Sequence, residues 1–153
     1  MSDNPADLLA PEAIRLGERA GDKTEAVRLT GQALVDCGAV APGYVPAMLE
    51  REESVSTYIG EGVAIPHATL AGKAHVVRDA LSFLRFPETV DWDGDPVTVC
   101  IGIAATGDGH VEILAQLAEI LLDPERAQAL REAEHPDTVL RMLTPTEHHE
   151  GES

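Results

Sequence analysis

The run Ser56-Thr57-Tyr58-Ile59-Gly60-Glu61-Gly62-Val63-Ala64-Ile65-Pro66-His67-Ala68 decides how the rest of the chain is read. Two short β-favouring pieces, Tyr58-Ile59 and Val63 to Ile65, flank Gly60-Glu61-Gly62. The two glycines supply the positive φ that a tight reversal needs, so the segment is predicted to fold back on itself. Pro66 removes a backbone donor and fixes φ, which predicts that pairing stops there and that His67 stands at a strand end. An imidazole so placed is both rigid and reachable. Its neighbours are apolar or small, with no Cys and no ordered set of carboxylates, so the ring reads as a nucleophile rather than a dedicated metal ligand.

The 153 residues, 44% hydrophobic, suffice for one domain with a proper core and leave no room for a second. Lys plus Arg number 11 against 27 Asp plus Glu, a formal charge of -16. Such a field repels nucleic-acid backbones and anionic lipid, and favours a basic docking partner. It also opposes a phosphoryl group, so phosphate chemistry would need a local cation or aimed backbone donors. The N-terminus lacks the charged and apolar regions of a signal peptide, and no stretch approaches the roughly 18 apolar residues of a membrane span. A cytoplasmic location is expected. Cys37 and Cys100 sit among apolar neighbours in separate elements and read as reduced core thiols.

Along the chain, residues 1–11 are expected to be flexible, 12–144 to form the single domain, and 145–153 to be a flexible acidic tail, with Ala13 to Leu16 a short strand. Asp22 and Glu25 form a capping-box-like helix start, and Gly38 supplies the left-handed stop. After Pro42-Gly43, the residues Tyr44, Met48, Arg51 and Val55 share one helical stripe. On spacing alone, Arg51 complements the helix dipole at the C-terminal turn or lays its stem along the apolar face. Ala71 to His75 reads as a surface connection and Asp79 to Phe86 as an internal strand. Pro87 to Asp95 has loop composition, its lone Trp92 being either a packing residue or part of an irregular edge strand. Val97 to Ala105 alternates large and small residues, as in a central strand against which a helix packs closely. Thr106 to Gly109 is a turn, and His110 opens a helix to about Leu122. Asp123-Pro124 and Pro136 begin two more helices. Strands alternating with helices imply an α/β domain with helices on both faces of a small sheet.

Tyr44 to His67, with its Met48-Leu49-Glu50-Arg51-Glu52 and Gly62-Val63-Ala64-Ile65-Pro66-His67 strings, resembles the enzyme IIA proteins of the bacterial sugar phosphotransferase system, mannitol/fructose class. The resemblance continues through Val97 to Leu122, including Ile101-Gly102-Ile103-Ala104-Ala105 and His110, and is strongest to the mannitol branch. It implies a three-layer α/β/α sandwich with a small mixed, mostly parallel sheet. His67 then corresponds to the family's acceptor histidine, His110 to its second active-site histidine, and Arg51 to an arginine beside them. The implied reaction is phosphotransfer: a phosphoryl group arrives from the phosphocarrier protein HPr and leaves to a cysteine of an enzyme IIB domain of a membrane permease. The resemblance implies no metal or nucleotide cofactor, and IIB and the membrane segments would be separate polypeptides.

The chemistry agrees with the residue types. A neutral imidazole with a pKa of about 6.5 can attack phosphorus near pH 7, and phosphoryl transfer asks the protein mainly for positioning and electrostatics. A unit charge about 5 Å away, as from Arg51, would contribute roughly 3 kcal/mol at an effective dielectric near 20. Helix-start amides around His110 would add donors. Ala64, Ile65, Ala68 and Leu70 are expected to offer an apolar docking rim. Glu61 is assigned no role, His75 and His135 have no motif around them, and His148-His149 belong to the tail. Two other readings share these residues. One is a regulatory IIA-like protein whose His67 phosphorylation controls a protein partner. The other is a metal-dependent hydrolase built on His67, His110 and Asp108, disfavoured because no His-x-x-x-His pair is present.

Overall fold

In the computed structural model, residues 8–68, 70–106 and 109–144 are described, with backbone alone at 70–71 and 109–111. Five strands, β1 (Leu9–Arg15), β2 (Tyr58–Gly60), β3 (Val63–Ala64), β4 (Ala80–Trp92) and β5 (Asp95–Ala104), form one sheet in the order β1-β4-β5-β3-β2. The α/β class and mixed sheet expected from the sequence are found, but the sheet is not mostly parallel, its longest ladder, β4 with β5, being antiparallel. Two pairings are parallel, β1 with β4 and β3 with β5, and two antiparallel, β4 with β5 and β2 with β3.

Period-2 alternation along the central strands divides the core into two layers. Leu81 and Phe83 of β4 and Val99, Ile101 and Ile103 of β5 face α3 (Gly109–Leu121), α4 (Pro124–Arg131) and α5 (Pro136–Met142). Leu84 and Phe86 of β4 and Cys100 and Ala104 of β5 face α1 (Lys23–Asp36) and α2 (Tyr44–Ser54). Helices thus cover both faces of the sheet, the three-layer arrangement.

Small residues let α1 come close to its neighbours. A Cβ on Gly31 would lie 2.7 Å from Sδ of Met48, and one on Gly102 would lie 2.7 Å from Cγ2 of Thr30. The small face of β5 therefore serves the close helix approach that its alternation predicts. At the start of α1 the Asp22 carboxylate accepts from the Glu25 amide at 2.9 Å, while Glu25 reaches back to the Gly21 amide at 2.8 Å. Gly38, at φ +80, ends the segment. Asp123 caps α4 by accepting from the Glu125 amide at 3.0 Å.

Other details differ from the expectation. Strand β1 begins at Leu9, so ordered pairing starts before residue 12. Pro87 to Asp95 is a hairpin rather than a loop: β4 continues through a register shift between Arg85 and Val90, and Trp92 pairs with Asp95. Asp93 and Gly94 turn it, both at positive φ (57° and 103°), as a two-residue reversal requires. Trp92 is fully buried, so it is a packing residue within a paired strand. The connection expected at Ala71 to His75 lies within a short 3-10 helix, Leu70–His75. The expected tail, 145–153, lies outside the described residues, as do residues 1–7.

Candidate functional site

The turn predicted around Gly60-Glu61-Gly62 is present. All three residues have positive φ (97°, 57° and 74°), and β2 and β3 pair antiparallel on either side. Arg131 of α4 holds the turn by donating to the Glu61 carbonyl at 2.9 Å, with its guanidinium 3.5 Å from the Glu61 carboxylate. Glu61, given no role above, is thus part of an anchored reversal.

Beyond β3 the chain is pinned from both sides. The Ile65 amide donates to the Thr57 carbonyl at 3.0 Å, toward β2, and the Pro66 carbonyl accepts from the Ile103 amide at 3.0 Å, toward β5. Proline lacks an N–H, yet its carbonyl still pairs, so the ladder runs one residue further than expected. His67 forms an isolated parallel bridge with Ile103. The ring is half-buried at the C-terminal end of the parallel pair β3 and β5, the end of an α/β sheet where ligands characteristically bind.

Nδ1 of His67 lies 2.9 Å from the Ile65 carbonyl oxygen. A carbonyl only accepts, so this contact is a hydrogen bond when Nδ1 carries the proton. The neutral ring then presents its lone pair at Nε2.

Helix α2 braces this segment at two points. Tyr44, its first residue, is buried and donates from its hydroxyl to the Ile103 carbonyl at 2.6 Å, while the Ala68 amide donates to the same hydroxyl at 3.4 Å. Burial pushes the Tyr44 phenol up to about 12, with the Ala68 amide acting in the opposite direction. Glu52, also buried, accepts from the Thr57 amide at 3.0 Å and from the Thr57 hydroxyl. The indole N–H of Trp92 donates to the same carboxylate at 3.0 Å, and Lys23 Nζ lies 3.9 Å from it. Tyr44, Met48 and Glu52 recur every four residues and are the buried face of α2. The sequence signal for Glu52 was therefore a carboxylate on an apolar stripe.

Arg51 is half-buried, and its guanidinium donates to the Val55 carbonyl at 2.9 Å, in the C-terminal turn of α2. This is the geometry of the dipole-complementing reading. His110 is the second residue of α3, and its side chain, like Asp108, lies outside the described residues. The start of α3 is approached through Thr106, whose amide and hydroxyl donate to Asp79 at 2.7 and 3.0 Å.

The apolar rim differs from expectation. Ala64 and Ile65 are buried, because each points into one of the two core layers on either side of the sheet. Ala68 is half-buried, and the Leu70 side chain lies outside the described residues. Among the described residues the exposed large apolar side chains are Val55, Ile59, Val77 and Leu122. Cys100 is fully buried, and burial pushes its thiol up, with a hydrogen bond involving Thr30 opposing; it is an inert core thiol. Cys37 is a half-buried free thiol that donates to the Leu34 carbonyl. Among the described residues, no three His, Cys, Asp or Glu side chains are grouped to hold a metal, and no helix is long and apolar enough to cross a membrane.

Residues 7–145 match the family model of the phosphoenolpyruvate-dependent sugar phosphotransferase system, EIIA 2. The chain is 40% identical over 136 residues to the mannitol-specific phosphotransferase enzyme IIA component of Halalkalibacterium halodurans, covering 89% of this chain and 94% of that one. It is 43% identical over 136 residues to a multiphosphoryl transfer protein of Escherichia coli O157:H7, covering 88% of this chain but spanning only 36% of that longer protein. Among solved structures it is similar to the Escherichia coli complex of mannitol enzyme IIA with phosphorylated mannitol enzyme IIB. That match has a TM-score of 0.83 and 36% identity, and covers 89% of this chain and 98% of the matched one. A family match over nearly the whole chain, on the fold and strand-end histidine just described, makes this protein a member of the enzyme IIA type 2 family, a phosphotransferase component.

Proposed function

We propose that this chain is a mannitol-type phosphocarrier in which Nε2 of His67 takes a phosphoryl group from the phosphohistidine of HPr and passes it to a cysteine of a cognate enzyme IIB. The observation that carries the reading is the 2.9 Å contact of His67 Nδ1 with the Ile65 carbonyl. It favours the tautomer whose lone pair is on Nε2, and it holds the ring while leaving the proton where it does not impede attack.

The exchange balances without a cofactor. The Nε2 lone pair forms a bond to phosphorus as the donor's P–N bond breaks and its electron pair returns to the donor ring. In the second step a cysteine thiolate of IIB attacks phosphorus, and the Nε2–P bond electrons return to His67. The proton on Nδ1 stays bonded to the Ile65 carbonyl throughout. Arg51 and His110 are proposed to face the phosphoryl oxygens, as the family correspondence implies, with the amides at the start of α3 adding donors. For Arg51 this requires the guanidinium to exchange its Val55 contact for the phosphoryl group. Sugar uptake, with mannitol as the substrate of the partner permease, and a cytoplasmic location complete the reading.

Intact mass tests it. After incubation with phosphoenolpyruvate, enzyme I and HPr, the wild type should gain one acid-labile phosphoryl group and His67→Ala none; subsequent addition of IIB should remove it. No gain on the wild type, with HPr shown to be phosphorylated, would overturn the carrier role. A stable phosphoryl group that IIB does not accept would point to the regulatory reading instead.

A further inference from the structure

We propose that Glu52 is a positioning residue for His67, acting through Thr57 and Ile65; the proposal rests on His67 being the phosphoryl carrier. The buried Glu52 carboxylate grips Thr57 twice, accepting from both its amide and its hydroxyl. The Thr57 carbonyl accepts from the Ile65 amide, and the Ile65 carbonyl meets His67 Nδ1. Three successive contacts, linked through the backbones of Thr57 and Ile65, thus join a buried anion on α2 to the ring nitrogen that sets the tautomer.

The far end of the line is also fixed. The fully buried Trp92 donates to Glu52 from β4, and Lys23 approaches it from α1 while bonding Asp93 at the hairpin turn at 2.8 Å. A buried carboxylate needs this degree of satisfaction, and one so satisfied is stiff. Its stiffness is delivered to Thr57, the residue that connects α2 to β2, in a stretch that otherwise exposes Val55 and Ser56. The Thr57 carbonyl holds the Ala64–Ile65 peptide through the Ile65 amide, and the carbonyl that meets His67 belongs to the next peptide, so Thr57 acts on this contact by fixing the backbone at Ile65.

The test combines two readouts on the full chain. The first is the His67 tautomer of the unphosphorylated protein, from long-range proton–nitrogen NMR correlation. The second is the single-turnover rate of phosphorylation as a function of phospho-HPr concentration. Glu52→Gln keeps the size but sets an amide N–H against the donors around it. It is expected to shift His67 away from the Nδ1-protonated tautomer and to lower the saturating rate roughly five- to tenfold, with the half-saturating HPr concentration unchanged within about twofold. Thr57→Val, which removes only the hydroxyl, should move both readouts in the same direction by less, and Thr57→Ser should restore them.

A folded Glu52→Gln protein with wild-type tautomer and wild-type rate would overturn the proposal. Should Glu52→Gln fail to fold, the Thr57 pair decides: equal tautomers and rates for Val and Ser refute it, and a defect in Val alone upholds it. If the wild type accepts no phosphoryl group, the carrier reading fails by itself, and the tautomer comparison still decides whether Glu52 positions the ring.

Discussion

The hydroxyl of Tyr44 lies 2.6 Å from the carbonyl oxygen of Ile103, joining the first residue of α2 to the strand that bridges His67. The same hydroxyl accepts from the Ala68 amide at 3.4 Å, so one phenol ties together the strand end and the residue that follows the candidate nucleophile. With Glu52 gripping Thr57 on the other side, a single helix holds both flanks of the His67 segment. Among the contacts that hold the half-buried ring is the one between Nδ1 and the Ile65 carbonyl.

Replacing Tyr44 by Phe should cost about 1–3 kcal/mol, because the Ile103 carbonyl and the Ala68 amide both lose a partner in a buried setting. The wild type should also show an alkaline signature that Tyr44→Phe lacks. The unfolded phenol ionises near 10, whereas burial raises the folded one to about 12. The folded state therefore holds its proton more tightly, and this contribution is complete below about pH 10 and lost as pH rises to 12. It amounts to roughly 2–3 kcal/mol. Urea unfolding of both proteins from pH 9 to 12 measures the difference; parallel curves would contradict the buried phenol.

Gly102→Ala should destabilise by about 1–3 kcal/mol, since a Cβ there would crowd the Ser82 hydroxyl and the Thr30 methyl where α1 rests on β5. A lowered midpoint of thermal unfolding is expected, and an unchanged one would mean that α1 can lift from the sheet at little cost.

Under the proposed function, substitutions at Arg51 and His110 should lower activity more than stability. Arg51→Ala loses one hydrogen bond at an exposed helix end and should change stability by less than about 1 kcal/mol. Its phosphorylation rate by phospho-HPr should nevertheless fall at least roughly tenfold, as should that of His110→Ala. An Arg51→Ala protein phosphorylated at the wild-type rate would leave this residue as a cap of α2 and nothing more.

Much of this was legible in the sequence because the signals were local. The two glycines around Glu61 announced the turn, Asp22 with Glu25 and Asp123 with Pro124 announced helix starts, and the alternation in Val97 to Ala105 announced the central strand. The hairpin through Trp92 was missed although Asp93-Gly94 is a turn pair, because Pro87 and the register shift after Arg85 break the alternation. The brace on His67 was illegible for a different reason. Tyr44 acts on Ile103 and Ala68, which are distant in sequence, and although Glu52 reaches Thr57 only five residues on, helical spacing alone assigns both to nothing more than a buried face. Two residues of the expected docking rim, Ala64 and Ile65, look exposed beside a turn, whereas they point into the core layers on opposite faces of the sheet.

The most direct test of the account is heteronuclear NMR of the phosphorylated, nitrogen-labelled chain, which identifies the ring nitrogen bonded to phosphorus. The account predicts phosphorus coupled to Nε2 of His67, with the Nδ1 proton retained against the Ile65 carbonyl. Coupling to Nδ1, or a phosphoryl group on any other residue, would contradict it.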